Sequence, residues 1–222
     1  MRQLADYDVY IFDCDGVILD SNQLKIDAMH NALSALITDN VKVEACVDYF
    51  RNNFGRSRFH HVDIFIEQFL LLDGNKAQQI KQSILDAYSI QCKSLYLKAE
   101  LTPGFIDFIT QIEGPKFVAS GSEQQELRDV FNSRGLDSYF EGIYGSPAKK
   151  SDLVTDILKF TNCSNAIMFG DAISDLEAAK INKIDFVAYT PFSNVIEALV
   201  EASSASGFEV IEVWPRIDEK KI

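Results

Sequence analysis

The chain has 222 residues, 47% hydrophobic and 24% charged, enough for one large α/β domain or a core domain with a smaller insert. Its net charge is −12 and its basic residues form no block longer than the terminal Lys220-Lys221, which argues against a nucleic-acid or anionic-membrane binder. Four scattered cysteines without CxxC or zinc spacing, an acidic start at Asp6 and Asp8 unlike a signal peptide, and no apolar run of membrane-spanning length lead us to expect a cytoplasmic protein with reduced thiols.

The first predicted element is the apolar run 8–12, read as a buried strand from its β-branched and aromatic residues. It leads directly into Asp13-Cys14-Asp15-Gly16. Two carboxylates a few ångströms apart repel by about 4 kcal/mol at an effective dielectric of 20. A fold keeps such a pair when a bound cation or a catalytic need offsets the repulsion. Cys14, between the two acids, is a poor thiolate and is not read as a nucleophile.

The spacing next predicts a helix over 21–36, with Leu24, Ala28, Leu33 and Leu36 on its apolar face and Asp20 or Ser21 as its cap. Helical spacing continues over 43–54, 59–72 and 77–97, broken at Gly55 and at Asp73-Gly74-Asn75, with no strand between them. Phe50, Phe54, Phe59, Phe65 and Phe69 are expected to form the core of this block. Neighbouring positions on a helix point about 100° apart, so His60-His61 is not read as a metal pair. Arg56 and Arg58, beside the Gly55 break, are either solvated or placed to meet a second anionic group on a ligand.

After Thr102-Pro103-Gly104 the pattern changes. Strands are predicted at 116–119, 142–144, 166–169, 185–188 and 209–213, alternating with helices at 104–112, 122–134, 151–161, 174–182 and 192–202. This alternation is that of a doubly wound parallel sheet, an α/β fold to which the first strand also belongs. The expected division is a Rossmann-like core from 1–19 and 99–222, with an all-helical insert over 20–98. The charged tail after Trp214-Pro215 is expected to fray.

Ligands of an open parallel sheet bind beyond the carboxyl ends of its strands. At those ends stand Asp13-Cys14-Asp15, Ser120-Gly121-Ser122, the Lys149-Lys150 pair, and Gly170-Asp171-Ala172-Ile173-Ser174-Asp175. Hard carboxylate oxygens suit Mg²⁺, which favours a phosphate oxygen among its remaining ligands. A carboxylate aimed at a phosphoryl group can attack it, and a second acid nearby can protonate the leaving alkoxide and then activate water. A hydroxyl, backbone N–H groups and a lysine would hold the other phosphoryl oxygens.

These segments also resemble the motifs of the haloacid dehalogenase-like phosphohydrolases, in the family's order and over nearly the whole chain. Asp13-Cys14-Asp15-Gly16-Val17 is similar to the first motif, Ser120 to the second, Lys150 to the third, and Gly170-Asp171 to Asp175 to the fourth. The insert resembles the family's type-1 helical cap. The resemblance implies Asp13 as nucleophile and metal ligand. It implies Asp15 as acid/base, with its carbonyl on the metal. Asp171 completes the Mg²⁺ set, with Asp175 bound directly or through water. Ser120, Gly121 and Lys150 hold the phosphoryl group, and Arg56 and Arg58 help select substrate. Many members carry Lys-Pro at the third motif, whereas this chain reads Ser-Pro-Ala-Lys-Lys. Lys150 is preferred because it precedes a capping Ser151 and the apolar Leu153-Val154, and Lys149 is the alternative.

The expected function is therefore Mg²⁺-dependent hydrolysis of a small phosphorylated metabolite, such as a sugar or sugar-acid phosphate, by a monomer or homodimer. A phosphomutase on the same fold is one alternative. A non-catalytic binding or regulatory protein is another, and the intact set of acids, serine and lysine weighs against it. Dehalogenation uses no Mg²⁺ and would not need Asp15 or the fourth-motif acids.

Overall fold

The computed structural model describes residues 4–216; the charged tail expected to fray lies, beyond 216, outside the described residues. Strand β1 (Val9–Phe12) is buried at every residue, as its apolar run requires. A tight loop follows, then the short strand β2 (Leu19–Asp20). Helices α1 (Asn22–Ser34), α2 (Asn40–Asn52), α3 (Arg58–Ile64), a π-helical segment at Phe65–Leu70, and α4 (Gly74–Lys98) come next. Strand β3 (Glu100–Leu101) then pairs antiparallel with β2, Leu19 opposite Leu101. The helical stretch thus leaves and re-enters through two adjacent strands, a ribbon too short to show in the sequence pattern.

The remainder alternates as expected: α5 (Phe105–Gln111), β4 (Lys116–Glu123), α6 (Gln124–Ser133), β5 (Gly142–Ser146), α7 (Lys150–Thr161), β6 (Ala166–Gly170), α8 (Ile173–Asn182), β7 (Asp185–Tyr189), α9 (Ile196–Ala205) and β8 (Glu209–Ile211). Among the described residues the main sheet has the order β5-β4-β1-β6-β7-β8, and every pairing is parallel. The chain passes from β1 to opposite halves of the sheet, so the loops after β1, β4 and β6 part above its centre. That parting is where open α/β sheets place their ligands.

Alternation along β1 divides the core. Val9 and Ile11 pack with Phe117, Met168 and Phe186 beneath Val154, Ile157 and Leu199. Tyr10 and Phe12 face the other layer, which continues without a break into the insert through Ile26, Met29, Phe50, Phe65 and Tyr88. Phe12 stacks on Phe169 at 4.9 Å, and Trp214 stacks on Tyr189 at 4.5 Å, closing this layer near the end of the described chain. Phe50, Phe54 and Phe65 are buried in it, with Phe59 and Phe69 packed at its edge.

Several local expectations are corrected. Leu24 is 41% exposed; α1 buries Ala28 and Leu33 as expected, and with them Ile26, Met29 and Ala32. The Ser21 side chain does not cap α1. Ser151 lies within α7, whose N-cap is Lys149. The strand predicted to stop at Ala119 runs on to Glu123, with a register break against β5, and the last helix begins at Ile196 rather than 192.

Candidate active site

Four charged side chains meet above the centre of the sheet. Asp13 follows β1, Asp171 follows β6, Asp175 lies in the first turn of α8, and Lys150 opens α7. All four are buried. Lys150 Nζ lies 3.0 Å from Asp13 Oδ2 and also donates to Asp175 Oδ1. Lys149 is exposed, so of the two lysines it is Lys150 that reaches these acids. The other Asp175 oxygen accepts the Ala172 N–H at 3.0 Å, so this acid caps its helix as well as holding the lysine.

Each of the three acids offers a carboxylate oxygen within 4.8 Å of the others, and Asp13 Oδ1 and Asp171 Oδ1 are buried without a hydrogen-bond partner. One lysine against three carboxylates leaves an excess of negative charge. Burial, then the neighbouring acids Asp175 and Asp15, raise the Asp13 carboxyl well above its ordinary value, despite Lys150. Burial, then Asp13 and Asp175, raise Asp171 likewise. All-oxygen donors, unpartnered atoms and uncompensated charge together fit a small hard cation such as Mg²⁺.

Asn22, the first residue of α1, donates from Nδ2 to Asp171 Oδ2 at 2.6 Å and to the Phe192 carbonyl at 2.8 Å. Gly16 makes this approach feasible: a Cβ there would lie 2.2 Å from Asp171 Oδ2. Its φ of +73° also lies in the left-handed region that favours glycine.

Asp15 has different surroundings. Its oxygens accept from Ser21 Oγ at 2.6 Å, Lys25 Nζ at 2.7 Å, Ser122 Oγ at 2.7 Å, and Tyr96 OH at 2.9 and 3.0 Å. Burial alone would raise its pKa, but the Lys25 charge and the hydrogen bonds from Lys25, Ser21 and Ser122 outweigh it and hold the carboxyl below its ordinary value. Cys14, between the acids, is pushed the other way by burial and by Asp15 and Asp13, as its flanks suggest.

Ser120 is buried, and its Oγ accepts the Ser122 N–H at 3.2 Å. Gly121 passes directly beneath the insert: a Cβ there would sit 2.3 Å from the Gly55 carbonyl oxygen. Arg58 is not the free cation expected for a second anion. Its guanidinium binds Glu126 through two bonds of 2.9 and 2.6 Å, both partners buried. Arg56 is half-exposed at the rim, 3.7 Å from Glu177.

Sequence reasoning missed Asn22, Lys25, Tyr96 and Ser122. A signal existed for two of them. Lys25 falls in the buried stripe with Ala28, Met29 and Ala32, where a solvated lysine would be out of place, and Tyr96 continues the buried Tyr88–Cys92 stripe of α4. Asn22 and Ser122 carry no such mark.

Solved structures share this fold. A predicted phosphatase from Clostridium acetobutylicum matches with a TM-score of 0.71 at 18% identity, covering 93% of this chain and 94% of its own. CbbY from Rhodobacter sphaeroides, in complex with xylulose-(1,5)bisphosphate, gives 0.69 at 15%, covering 94% and 95%. A predicted phosphoglycolate phosphatase from Haemophilus somnus gives 0.66 at 13%, covering 84% and 87%. The sequence comparison with curated proteins finds no match. The family model described as haloacid dehalogenase-like hydrolase matches residues 10–189, a span that contains every acid of the buried cluster and the lysine between them. The chain belongs to the haloacid dehalogenase-like hydrolases.

Proposed function

We propose that this chain is a Mg²⁺-dependent phosphomonoester hydrolase that cleaves a small phosphorylated metabolite through an aspartyl-phosphate on Asp13. The observation that carries the reading is the pair of unpartnered buried oxygens, Asp13 Oδ1 and Asp171 Oδ1, beside Lys150. It is a charge arrangement completed by a cation and a phosphoryl group together. The names carried by the structural neighbours, phosphatases and a bisphosphate complex, support the same substrate class.

Asp13 and Asp171 would hold the metal through their free oxygens, with Asp175 fixing Lys150 beside them. When bound, Mg²⁺ neutralises the acids and polarises the phosphoryl group. Ser120, the Gly121 backbone and Lys150 hold the equatorial oxygens, where charge builds in the transition state. An Asp13 oxygen attacks phosphorus, the bond to the leaving alkoxide breaks, and Asp15 gives the alkoxide its proton. Water then attacks the same phosphorus, Asp15 takes the water's proton, and the bond to Asp13 breaks. An arriving phosphate dianion pushes the Asp15 pKa upward, which favours the proton it must donate. After the leaving group departs, Lys25 favours the carboxylate that serves as base.

The insert over 20–98 acts as a cap, since α1 supplies Asn22 and Lys25 and α4 supplies Tyr96 to the site floor. Closure excludes bulk water from the acyl phosphate. The test is phosphate release from a panel of phosphorylated metabolites with Mg²⁺. Activity abolished by chelation and by Asp13→Asn is expected. Activity that survives either would contradict the mechanism.

A further inference from the structure

In this closed arrangement the space over Asp15 is about 10 Å³, room for about one water. A second and larger space also meets the residues proposed to hold the phosphoryl group. It is a cleft of about 530 Å³, within the range of ligand pockets, with Gly121 and Lys150 in its lining. The insert contributes Gly55, Arg56 and His60 to it, and the core contributes Lys149, just before α7, and Glu177 on α8.

The charges of this cleft do not cancel. Lys150 is bound by Asp13 and Asp175, and Asp63, also in the lining, is bound by Lys81. Glu177 is the remaining acid, 3.7 Å from Arg56, and both side chains are about half exposed. A pair so long and so well hydrated holds its members weakly. Lys149 is exposed, and among the described residues its ammonium has neither an ion-pair nor a hydrogen-bond partner. The cleft therefore carries one unmatched lysine and one loosely held arginine, from opposite sides of the seam between core and insert.

His60 shows that the two cations share one space. Its Nε2 lies 3.4 Å from the Tyr49 hydroxyl. Burial first and Arg56 next lower its pKa below the ordinary value, with Lys149 adding to them and Asp63 opposing. Both cations thus act on one imidazole, whose own charge they disfavour. A guanidinium fork and a free ammonium facing one space suit a carboxylate or a phosphate and repel a cation. Ser57, Ser151 and Ser174 add hydroxyls to the same lining, partners for a polyhydroxy body.

We propose that Arg56 and Lys149 form a subsite for a second anionic group, so that the substrate is a phosphorylated sugar acid or a sugar bisphosphate whose leaving group extends into this cleft. The proposal rests on the phosphomonoesterase reading above and gives a task to Lys149, the lysine that does not reach the buried acids. It is tested by kcat/KM with Mg²⁺ on esters matched in size. These are glucose 6-phosphate, 6-phosphogluconate and glucosamine 6-phosphate, then fructose 6-phosphate and fructose 1,6-bisphosphate, with p-nitrophenyl phosphate as a general probe. The native chain should favour 6-phosphogluconate over glucose 6-phosphate, or the bisphosphate over fructose 6-phosphate, by at least about tenfold. The first preference identifies a carboxylate and the second a phosphate. Glucosamine 6-phosphate should be the poorest of the five sugar esters. Lys149→Gln and Arg56→Gln should each reduce the preference by about threefold or more, mainly through KM. Lys149→Arg should keep it, and Glu177→Gln, which frees Arg56, should raise it. All three side chains are exposed, so melting temperatures should stay at the native value. Native ratios near one in both matched pairs, or a preference that either Gln variant leaves unchanged, would overturn the proposal and leave the hydrolase reading standing. Phosphate release from none of the six esters overturns both.

Discussion

Asp13 and Asp15 stand two residues apart at one strand end, yet their surroundings push them in opposite directions. Asp13 faces two other acids and one lysine, and its carboxyl is raised to about 7, chiefly by burial. Asp15 faces Lys25 and three hydroxyls, and its carboxyl is lowered. Replacing Asp15 by Asn should reduce turnover by about 10²–10⁴ if it moves the proton; near-normal steady-state rates would remove it from that role. Lys25→Met leaves Asp15 buried without its cation and should destabilise the fold by about 3–5 kcal/mol in urea unfolding. The raised acids give a pH signature. Between about pH 4, where an unfolded aspartate ionises, and about 7 the folded metal-free protein binds protons that the unfolded chain has lost. Its stability should therefore fall as pH rises through that window. Mg²⁺ competes with those protons, so it should raise the melting temperature more at pH 8 than at pH 5. An equal or larger effect at pH 5 would contradict the metal assignment.

At the scale of elements, the site depends on where strands end, and that is also where sequence and structure part. The β1 run, the later alternation and the GDxxxD segment were legible because each combines a clear period with a polar stop. Strand β4 was not. Polar Ser120-Gly121-Ser122 reads as a loop, but the structure carries it in extended form to Glu123, with a register break that places Ser122 against Asp15. The contributions of α1 and α4 were hidden for a different reason. Helical spacing reports the face that a residue occupies, and it is silent on which distant loop that face meets. Gly121 marks a close approach of the insert and core backbones. Gly121→Ala would drive a Cβ against the Gly55 carbonyl and should cost about 1–3 kcal/mol of stability, read from thermal melting. Unchanged melting would mean that the insert rides above the sheet without that contact.

At the scale of the molecule, one continuous hydrophobic layer joins the insert to one face of the sheet, while α7, α8 and α9 cover the other. The chain leaves the core after β2 and returns at β3, so the ribbon between them is the covalent link on which the insert is carried. Among the described residues no helix is long and apolar enough to cross a membrane. Closed in this arrangement, insert and core surround Asp15 on every side. On the proposed mechanism the insert opens for substrate to reach Asp15, and an acyl phosphate formed on Asp13 is sheltered until it opens again. The central claim is that the phosphoryl group resides on Asp13 during turnover. It is tested most directly by quenching the enzyme during hydrolysis, reducing any acyl phosphate with borohydride, and locating the product by peptide mass spectrometry. The account predicts homoserine at position 13 that requires both substrate and Mg²⁺. An unmodified Asp13, with the mark on another residue, would contradict it.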